Sequence, residues 1–531
     1  MRRLFSYLLN GILVLFPFTI LYVTGVLGID FGLHWDEDKL IALVEQTIKN
    51  GIFLPHWYKY PSISFWLSFG ALLPHIQGAV ALVGLEIHAL YAHLHQVIQT
   101  QAFLLQTRQV FLLVSSLSVL WVFGAVLSFK RSRWEALCAA CLLGLSWEVA
   151  YHARWIAPDA VMMQFAALMI LFLALAWRGS RLWLLAAAIA GGLACGTKYP
   201  AGLLLLPLLL TAYRVQPSSR WAKKLGLTLV QTIPIFLAAY LISTPGTILE
   251  PLTFYKDIAY EMRHYQGAYD SQYVSSGLPH LGLMGVYFSL ALFSHYTLPA
   301  LFFFLCALVG IYAWVRESLA ASLTFLSFPL IYILYFSMQQ VMVVRNLLVL
   351  VPFFAVFGAR GIVAIGKSIQ RNGLRNGWYA AIFLLFAINA TWLFTAAQSI
   401  TNRNSIVFID ALKRHLQSQP NQSFLLSKRV WKDIKADSLS QKFSLLTGKE
   451  DFCAEHEQWV VIYAFEAFGQ ESLLPLLVHW RKGDWLEFIP TLQTVFFAPW
   501  EVNFNYYPLW AGNDRILMLR NSRVCSLLNT K

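Results

Sequence analysis

The sequence predicts an α-helical polytopic membrane protein of about eleven transmembrane helices with a small α/β domain at its C-terminal end. Three observations support this fold class. Of 531 residues, 58% are hydrophobic and only 13% are charged, whereas soluble globular chains carry about 25% charged residues. Long apolar runs alternate with short basic clusters, which is the pattern that orients membrane helices. From about Ser399 onwards, these runs give way to mixed helix and strand patterns.

The formal net charge of +13 would also suit a nucleic-acid-binding protein. The Lys and Arg residues, however, lie in short clusters between apolar runs, as in Lys130-Arg131-Ser132-Arg133. A chain this apolar cannot cover its surface with polar groups in water. We therefore predict the lipid bilayer as its environment and no nucleic acid among its partners.

A membrane-spanning helix needs about 20 mainly apolar residues. The run from Leu182 to Tyr213 is too long for one span, and Gly196 to Pro200 breaks it, so we predict a two-span hairpin there. The other predicted spans are Leu8–Gly28, Val110–Phe129, Trp134–Val149, Ala160–Trp177, Leu225–Ile242, Thr297–Val315, Leu319–Phe336, Leu347–Ile365 and Trp378–Ala396.

The apolar stretch Ile63–Gly84 is the most difficult segment to assign in this topology. Counting it as a span would place the Lys130–Arg133 cluster outside and reverse every later loop. Pro74-His75 also interrupts the run. We therefore expect a re-entrant or surface-lying helix on the outer face. The resulting topology is a multi-pass protein of the plasma (inner) membrane, with a cytoplasmic N-terminus and an extracytoplasmic C-terminal domain.

These spans predict two domains. Residues 1–397 form the membrane domain, with a large first outer loop at 29–109 and a fourth outer loop at 243–296. Residues 398–531 form the extracytoplasmic α/β domain. Its expected elements are a helix at Ile406–Leu416 and strands at Ser423–Leu426, Trp459–Tyr463 and Arg515–Leu519.

The cysteines give little functional signal. Cys138 and Cys141 form a CxxC inside an apolar run without a second pair, which argues against a zinc site. Cys453 and Cys525 lie in the polar C-terminal part, where an oxidising compartment would allow a disulfide between them.

The predicted topology gathers ionisable residues in the outer loops. An ionisable group near hydrocarbon is costly, about 2.5 to 3.5 kcal/mol at mid-bilayer, and is by default a functional candidate. Near the interface the cost is smaller, so each residue alone is equally well explained as structural. Acidic and basic groups on one face in several loops favour a site. The candidates are Asp36, Glu37, Lys59, Arg154, Asp159, Lys198, Glu261, His264 and Arg345.

This mixture of charges suits transfer of a sugar from a lipid-linked phosphate. The attacking hydroxyl needs a base, for which Asp36 is the leading candidate, and Asp159 could orient the acceptor or a metal. The departing phosphate needs cations that stabilise its developing charge. The candidate phosphate-binding residues are Lys59, Arg154, Lys198 and Arg345.

Trp35, Tyr58 and His264 are candidates for binding the sugar or the acceptor. Glu261 and His264 have a helical spacing that could bind a divalent ion if a third ligand such as Asp36 joined them. A surface helix in a polar loop explains the pair equally well. No cofactor is certain, and a divalent ion (Mg, Mn or Zn) stays open.

Several short motifs follow one another along the membrane part: Asp36-Glu37, Lys59-Tyr60-Pro61 before Phe65-Trp66, Arg154 with Asp159, Gly192 to Lys198, and Arg345 with Pro352. In this order they resemble the GT-C superfamily of polytopic glycosyltransferases, above all the protein O-mannosyltransferases and the lipid A aminoarabinose transferases (glycosyltransferase family 39-like). The resemblance covers about residues 1–397. Three departures are Asn346, where an aromatic residue is usual, Tyr60 in place of a proline, and Asp38-Lys39 after the acidic pair, where an aromatic residue often appears slightly later.

The resemblance implies an enzyme that transfers a hexosyl or pentosyl group from a polyprenyl- or dolichyl-phosphate donor, with inversion at the anomeric carbon. It implies a lipid, glycan or protein acceptor bound on the outer side. Asp36, Glu37 and Asp159 would be the catalytic residues.

Two other classes fit many apolar spans with embedded charges: a transporter or lipid flippase, and a non-catalytic membrane assembly subunit. Transporters usually place ionisable residues at mid-bilayer and show inverted repeats. Here the charges lie in outer loops and the sequence shows no repeat, which favours the transferase.

Overall fold

The computed structural model describes residues 2–30, 37–84, 86–130, 132–179, 181–216, 220–266 and 274–401, and short segments between 413 and 520. Up to residue 401 the described elements are helical. They are α1 Arg2–Leu27, α2 Glu37–Asn50, α3 Ile63–Val83, α4 Ile87–Ile98, α5 Gln101–Lys130, α6 Arg133–Gly144, α7 Trp147–His152, α8 Pro158–Trp177, α9 Leu182–Cys195, α10 Leu205–Val215, α11 Trp221–Ser243, α12 Gly246–Leu249, α13 Pro251–Gln266, α14 Leu278–Leu290, α15 Thr297–Glu317, α16 Leu319–Ser337, α17 Val351–Ser368 and α18 Asn372–Thr401, with 3-10 helices at Tyr199–Leu204 and Val344–Leu350.

The predicted class is confirmed: the protein is a helical integral membrane protein. Among the described residues, nine helices are long and apolar enough to cross a membrane, and three shorter apolar helices accompany them. The predicted hairpin within 182–213 is present as two of these shorter helices, because α9 ends at Cys195 and a 3-10 helix begins at Tyr199.

The predicted span Trp134–Val149 is instead two helices, α6 and α7, which are separated at Leu145-Ser146. The Ser146 hydroxyl donates to the carbonyl of Leu292 at 2.7 Å and accepts from the amide of Val149 at 3.4 Å. It therefore caps α7 and ties the break to a distant segment. Hydrophobicity alone does not reveal such a partner.

Pro74 does not interrupt the apolar stretch that we expected it to divide. Helix α3 runs unbroken through it for 21 residues and is among the nine candidate spans. Gln106 of α5 lies beside the proline, donating to the carbonyl of Ala71 at 2.9 Å and bonding His75 at 2.7 Å. Such neighbouring groups allow a proline inside a membrane helix.

Among the candidate spans, α8 and the span formed by the 3-10 helix Val344–Leu350 with α17 have the largest buried shares. Helix α17 packs directly on α15 through small residues. A Cβ at Gly310 would collide with the carbonyl of Phe357, and one at Gly361 with the carbonyl of Cys306. Glycine at both positions is what lets the two backbones touch, as is common between membrane helices.

The chain divides into two units, one of residues 1–29 with 33–395 and one of residues 30–32 with 396–531. The second unit holds a five-stranded sheet of order β2-β1-β3-β5-β4. Strand β1 pairs in parallel with β2 and β3, and β5 pairs antiparallel with β3 and β4. The strands are β1 Phe424–Leu426, β2 Phe443–Leu445, β3 Trp459–Tyr463, β4 Trp485–Phe488 and β5 Ile516–Arg520.

The three predicted strands correspond to β1, β3 and β5, within one residue at their ends. The expected helix Ile406–Leu416 lies mostly outside the described residues, as do Cys453 and Cys525. The described cysteines, including Cys138 and Cys141, are all free thiols.

Candidate active site

A cavity of about 420 Å³ opens among four parts of the membrane unit. These are the segment before α3, the turn after α9 with its 3-10 helix, the C-terminal half of α13, and the end of α16. The walls carry two lysines, one carboxylate and several aromatic rings, which suits a polar ligand with flat or ring-shaped parts. Its lining includes Lys59, Tyr60, Lys198, Tyr199, Glu261, Tyr265, Tyr335 and Phe336.

A buried group of charged and polar side chains, the open cluster (Asp159, Lys198, Arg345 and Asn346), adjoins this cavity through Lys198. The Lys198 ammonium donates to Asp159 Oδ1 at 2.5 Å and also to the side-chain oxygen of Asn346. Arg345 Nε lies 3.5 Å from Asp159 Oδ2. Among these four residues, two cations thus contact one carboxylate.

The open cluster is built where apolar helices start or stop. Asp159 lies in the first turn of α8, directly after Pro158, where the helix dipole favours a carboxylate. Lys198 lies in the break between α9 and the following 3-10 helix. Arg345 and Asn346 lie in the 3-10 helix that leads into α17. Because each break stops the helical ladder, a side chain there can turn towards its neighbours.

Asn346 connects the cluster to the cavity wall. Its amide nitrogen donates to the hydroxyl of Tyr265 at 3.1 Å, and Tyr265 lines the cavity. Its backbone carbonyl accepts the hydroxyl of Tyr332 at 2.7 Å. A phenylalanine or tryptophan at this position would offer Lys198 no acceptor like the asparagine oxygen.

Lys59 supplies the second cation of the cavity. Its ammonium lies 3.1 Å from the ring centroid of Tyr260 on α13, a cation–π contact. Lys198 also faces an aromatic ring, that of Tyr60, at 5.8 Å. The cavity therefore presents two ammonium groups on different walls, as expected for a phosphate-binding pocket.

Arg154 is not among the residues that line this cavity. Its guanidinium is fully buried, with Nε donating to Ala150 O at 3.0 Å and Nη1 donating to Gly28 O at 3.1 Å. These contacts join α7 to the end of α1. The structure thus brings together three of the four predicted phosphate-binding residues and places Arg154 among backbone carbonyls nearby.

Both carboxylate oxygens of Glu37, one of the predicted catalytic residues, accept hydrogen bonds. Arg108 of α5 donates to both of its oxygens, at 3.0 Å from Nε and 2.5 Å from Nη2. The amide of Ile156 donates to Glu37 Oε1 at 3.0 Å. With 1% of its surface exposed, this carboxylate anchors α2 to the segment that precedes Asp159.

The remaining candidate residues lie partly outside the described residues and partly at separate positions. Asp36 and Trp35 lie outside the described residues. Tyr58 is buried and its hydroxyl donates to Glu250. His264 lies on α13 with its ring 5.5 Å from that of Tyr265. Burial, and then the charge of Lys59, lower the pKa of His264 below its usual value.

The metal hypothesis rests on Glu261 and His264, one turn apart on α13, and on Asp36. Glu261 lines the cavity, whereas His264 is not among its lining residues. Within the described ranges no group of three or more His, Cys, Asp or Glu side chains is arranged to hold a metal ion. A metal site at this place therefore stays a prediction that depends on Asp36.

Several residues of the site were not singled out by the sequence. Arg108, the partner of Glu37, is separated from the next cation of the long apolar helix α5 by the whole run up to Lys130, and that isolation was a usable signal. Glu250 and Asp257, which contact Tyr58, lie in a polar stretch where carboxylates are common and give no such signal.

Fold and site together define an integral membrane protein in which buried ion pairs adjoin a cation-lined cavity. Residues 87–243 match the model of the dolichyl-phosphate-mannose-protein mannosyltransferase family. This segment contains Arg154, Asp159 and Lys198. The match confirms the predicted resemblance to the protein O-mannosyltransferase group of GT-C glycosyltransferases.

Several solved structures are similar to the chain at low identity. ArnT from Cupriavidus metallidurans bound to undecaprenyl phosphate is 13% identical, covering 96% of this chain and 97% of that one, with a TM-score of 0.45. The same protein in its apo state is 13% identical, covering 99% of this chain and 99% of that one, with a TM-score of 0.46. The archaeal oligosaccharyltransferase AglB from Archaeoglobus fulgidus, with an inhibitory peptide and a dolichol-phosphate, is 12% identical over 79% of this chain and 63% of that one, with a TM-score of 0.45. No curated protein sequence matches the chain.

Proposed function

We propose that the protein is a membrane glycosyltransferase that moves a hexosyl or pentosyl group from a polyprenyl- or dolichyl-phosphate donor to an acceptor hydroxyl. The acceptor is a lipid, glycan or protein on the outer side of the plasma membrane. The observation that carries the proposal is the cavity of about 420 Å³ with Lys59 and Lys198 on its walls and the open cluster beside it. The family match supports it.

The leaving group explains the cations. As the bond between the anomeric carbon and the phosphate oxygen breaks, the lipid phosphate takes both electrons and gains negative charge. Lys198 and Arg345 both contact the carboxylate of Asp159, and we assign these two cations the role of stabilising that phosphate. Lys59 lines the same cavity from the segment before α3. Asp159 holds the two cations in place rather than taking a proton.

The acceptor hydroxyl needs a base, and we assign Asp36 this role. Glu37 next to it is committed to Arg108 and Ile156, so it serves as an anchor. Because Ile156 lies three residues before Asp159, this anchor connects the first loop with the open cluster. Attack on the face opposite the phosphate inverts the anomeric carbon.

Ring-shaped groups on the cavity wall suit a sugar. Tyr60, Tyr265, Tyr335 and Phe336 offer flat apolar faces, and the tyrosines add hydroxyls. Such surfaces stack on the C–H face of a sugar ring while polar groups fix its orientation. Trp35 and Tyr58 were candidates for this role; Tyr58 is buried behind the wall.

The test is transfer of labelled sugar from a panel of polyprenyl-phosphate sugars in membranes that contain the protein. We expect wild-type transfer with at least one donor, and a loss of about 100- to 10,000-fold for Asp36→Asn. Lys49→Ala, an exposed cation at the end of α2, is the control. Full transfer by Asp36→Asn would remove Asp36 as the base. Absence of transfer with every donor would remove the proposed activity.

We also propose that the C-terminal domain, residues 398–531, is extracytoplasmic and that the N-terminus is cytoplasmic. The positive-inside distribution of the Lys and Arg clusters supports this orientation when α3 is counted as a helix on the outer face rather than as a span. A reporter fused after Lys531 should then read as outside. A cytoplasmic reading would reverse the loop assignment and place the cavity on the other face.

A further inference from the structure

Tyr58 is held at three points by other parts of the membrane unit. Its hydroxyl donates to Glu250 Oε2 at 2.5 Å, and its amide donates to Asp257 Oδ2 at 2.5 Å. Its carbonyl accepts the hydroxyl of Tyr199 at 2.6 Å. A Cβ at position 246 would overlap the Tyr58 ring, so the ring fits there only because Gly246 has no side chain.

Glu250 holds the same segment at a second residue. Its other oxygen, Oε1, bonds Nδ1 of His56. His56 has φ of 50°, in the left-handed region that residues other than glycine rarely adopt. Such a conformation persists only where the surroundings determine it. One carboxylate therefore fixes the chain at residues 56 and 58, immediately before Lys59.

The position of Lys59 follows from this arrangement. The backbone of its neighbour is bonded to Asp257 of α13, and its ammonium lies against Tyr260 one turn further along the same helix. A misplacement of reacting or binding groups by about 1 Å can cost about 100-fold in rate. A cation on a loop needs support of this kind to meet a phosphate reproducibly.

We infer that Glu250 is a positioning residue that, through His56 and Tyr58, sets Lys59 against the donor phosphate. This role rests on the proposed function. Burial, and then its bond to Glu250, raise the pKa of Tyr58, so its hydroxyl remains a donor to the carboxylate at neutral pH. Glu250 itself does not line the cavity.

The experiment is a double-mutant cycle on the full chain in lipid nanodiscs, with undecaprenyl phosphate as the probe. We expect Glu250→Ala and Lys59→Ala each to weaken its binding by about 10- to 100-fold. The double variant should bind no more weakly than Lys59→Ala alone, because Glu250 acts only through Lys59. In transfer assays, KM for the donor should rise more than kcat falls.

Two further variants separate positioning from general damage. Tyr58→Phe removes only the hydroxyl and should give part of the Glu250→Ala effect. Glu250→Gln keeps an oxygen acceptor for that hydroxyl and should restore most of the binding. The matched control is Glu45→Ala. It breaks a similar pair, Glu45 with His95 at 2.8 Å, which joins α2 to α4 away from the cavity lining.

Additive losses in the double variant, or unchanged binding by Glu250→Ala, would overturn the positioning role while leaving the proposed function standing. A wild type that neither binds undecaprenyl phosphate nor transfers sugar would instead overturn the proposed function, and the role of Glu250 with it.

Discussion

Among the described residues of the membrane unit, two clusters of mostly buried or half-buried charges differ in their surroundings. The open cluster adjoins a cavity of about 420 Å³. The second, the closed cluster, comprises Lys130, Glu135, Glu317 and Arg360; Arg360 contacts both glutamates and Lys130 lies 2.5 Å from Glu317. The space beside it is about 10 Å³, roughly one water.

The charge balance differs as well. The four residues of the closed cluster are two cations and two carboxylates, and their ion pairs join α5, α6, α15 and α17. Among the described residues, the four members of the open cluster are two cations, one carboxylate and one amide. An excess charge beside an open space is suited to a ligand of opposite charge, whereas a balanced, filled cluster is suited to packing.

The strongest test of this difference changes one lysine in each cluster. We expect Lys198→Met to reduce sugar transfer by about 100- to 1,000-fold, the usual cost of removing a group that stabilises transition-state charge. The matched variant Lys130→Met should keep transfer per folded molecule within about twofold. Rates are measured with saturating donor on purified protein. Equal losses in the two variants would remove the functional distinction between the clusters.

The closed cluster should matter for stability instead. Arg360→Met removes the guanidinium that lies 3.4 Å from the buried Glu135 carboxylate. Breaking a buried pair by removing one partner costs about 3 to 5 kcal/mol, and we expect a value near the lower end because Glu317 is partly exposed. Thermal inactivation measures the loss. A variant as stable as the wild type would show that the cluster does not hold the helices together.

Much of this fold could be predicted from hydrophobic length alone. Where prediction and structure differ, a tertiary partner decides. Ser146 ends a helix because Leu292 offers a carbonyl, and α3 continues through Pro74 where Gln106 bonds the adjacent carbonyl. The sequence around Ser146 or Pro74 does not identify Leu292 or Gln106 as its partner.

Prediction of the site residues from the sequence is limited in the same way. Asp159 and Lys198 could be predicted because both are ionisable residues beside apolar runs, and several such residues fall on the same predicted face of the membrane. The role of Glu37 could not, since Arg108 lies 71 residues away. Glu250 could not either, because it is one carboxylate in a polar loop and its meaning depends on Tyr58, 192 positions before it.

Asn346 tests the charge balance of the open cluster. Asn346→Ala removes an acceptor of Lys198 and should lower transfer by about tenfold, in line with loss of one hydrogen bond to a charged group. Asn346→Asp keeps the shape but adds a second carboxylate, as in the closed cluster. We expect it to weaken donor binding more than Asn346→Ala does. The opposite order in donor KM would show that excess positive charge is not what binds the phosphate.

The smallest expected effect concerns acid. Burial lowers the pKa of His152 to about 3, and its ring senses the charges of Asp159, Arg345 and Lys198. The folded protein keeps this ring neutral, whereas in the unfolded chain it takes up a proton near pH 6.5. Its contribution to stability is therefore complete above pH 6.5 and is lost as the pH falls from 6.5 towards 3.

His152→Gln should accordingly flatten the dependence of unfolding on pH between about 6.5 and 4.5, by at most about 1.4 kcal/mol per pH unit. The substitution should change the stability at pH 8 only slightly, and its main effect should be on how stability varies with pH. His88→Gln, at an exposed position on α4, is the control. Thermal inactivation of the wild type and of both variants across this pH range measures these effects. If His152→Gln and the wild type lose stability in parallel, acid sensitivity arises elsewhere, and the open cluster differs from the closed one in its cavity and charge balance alone.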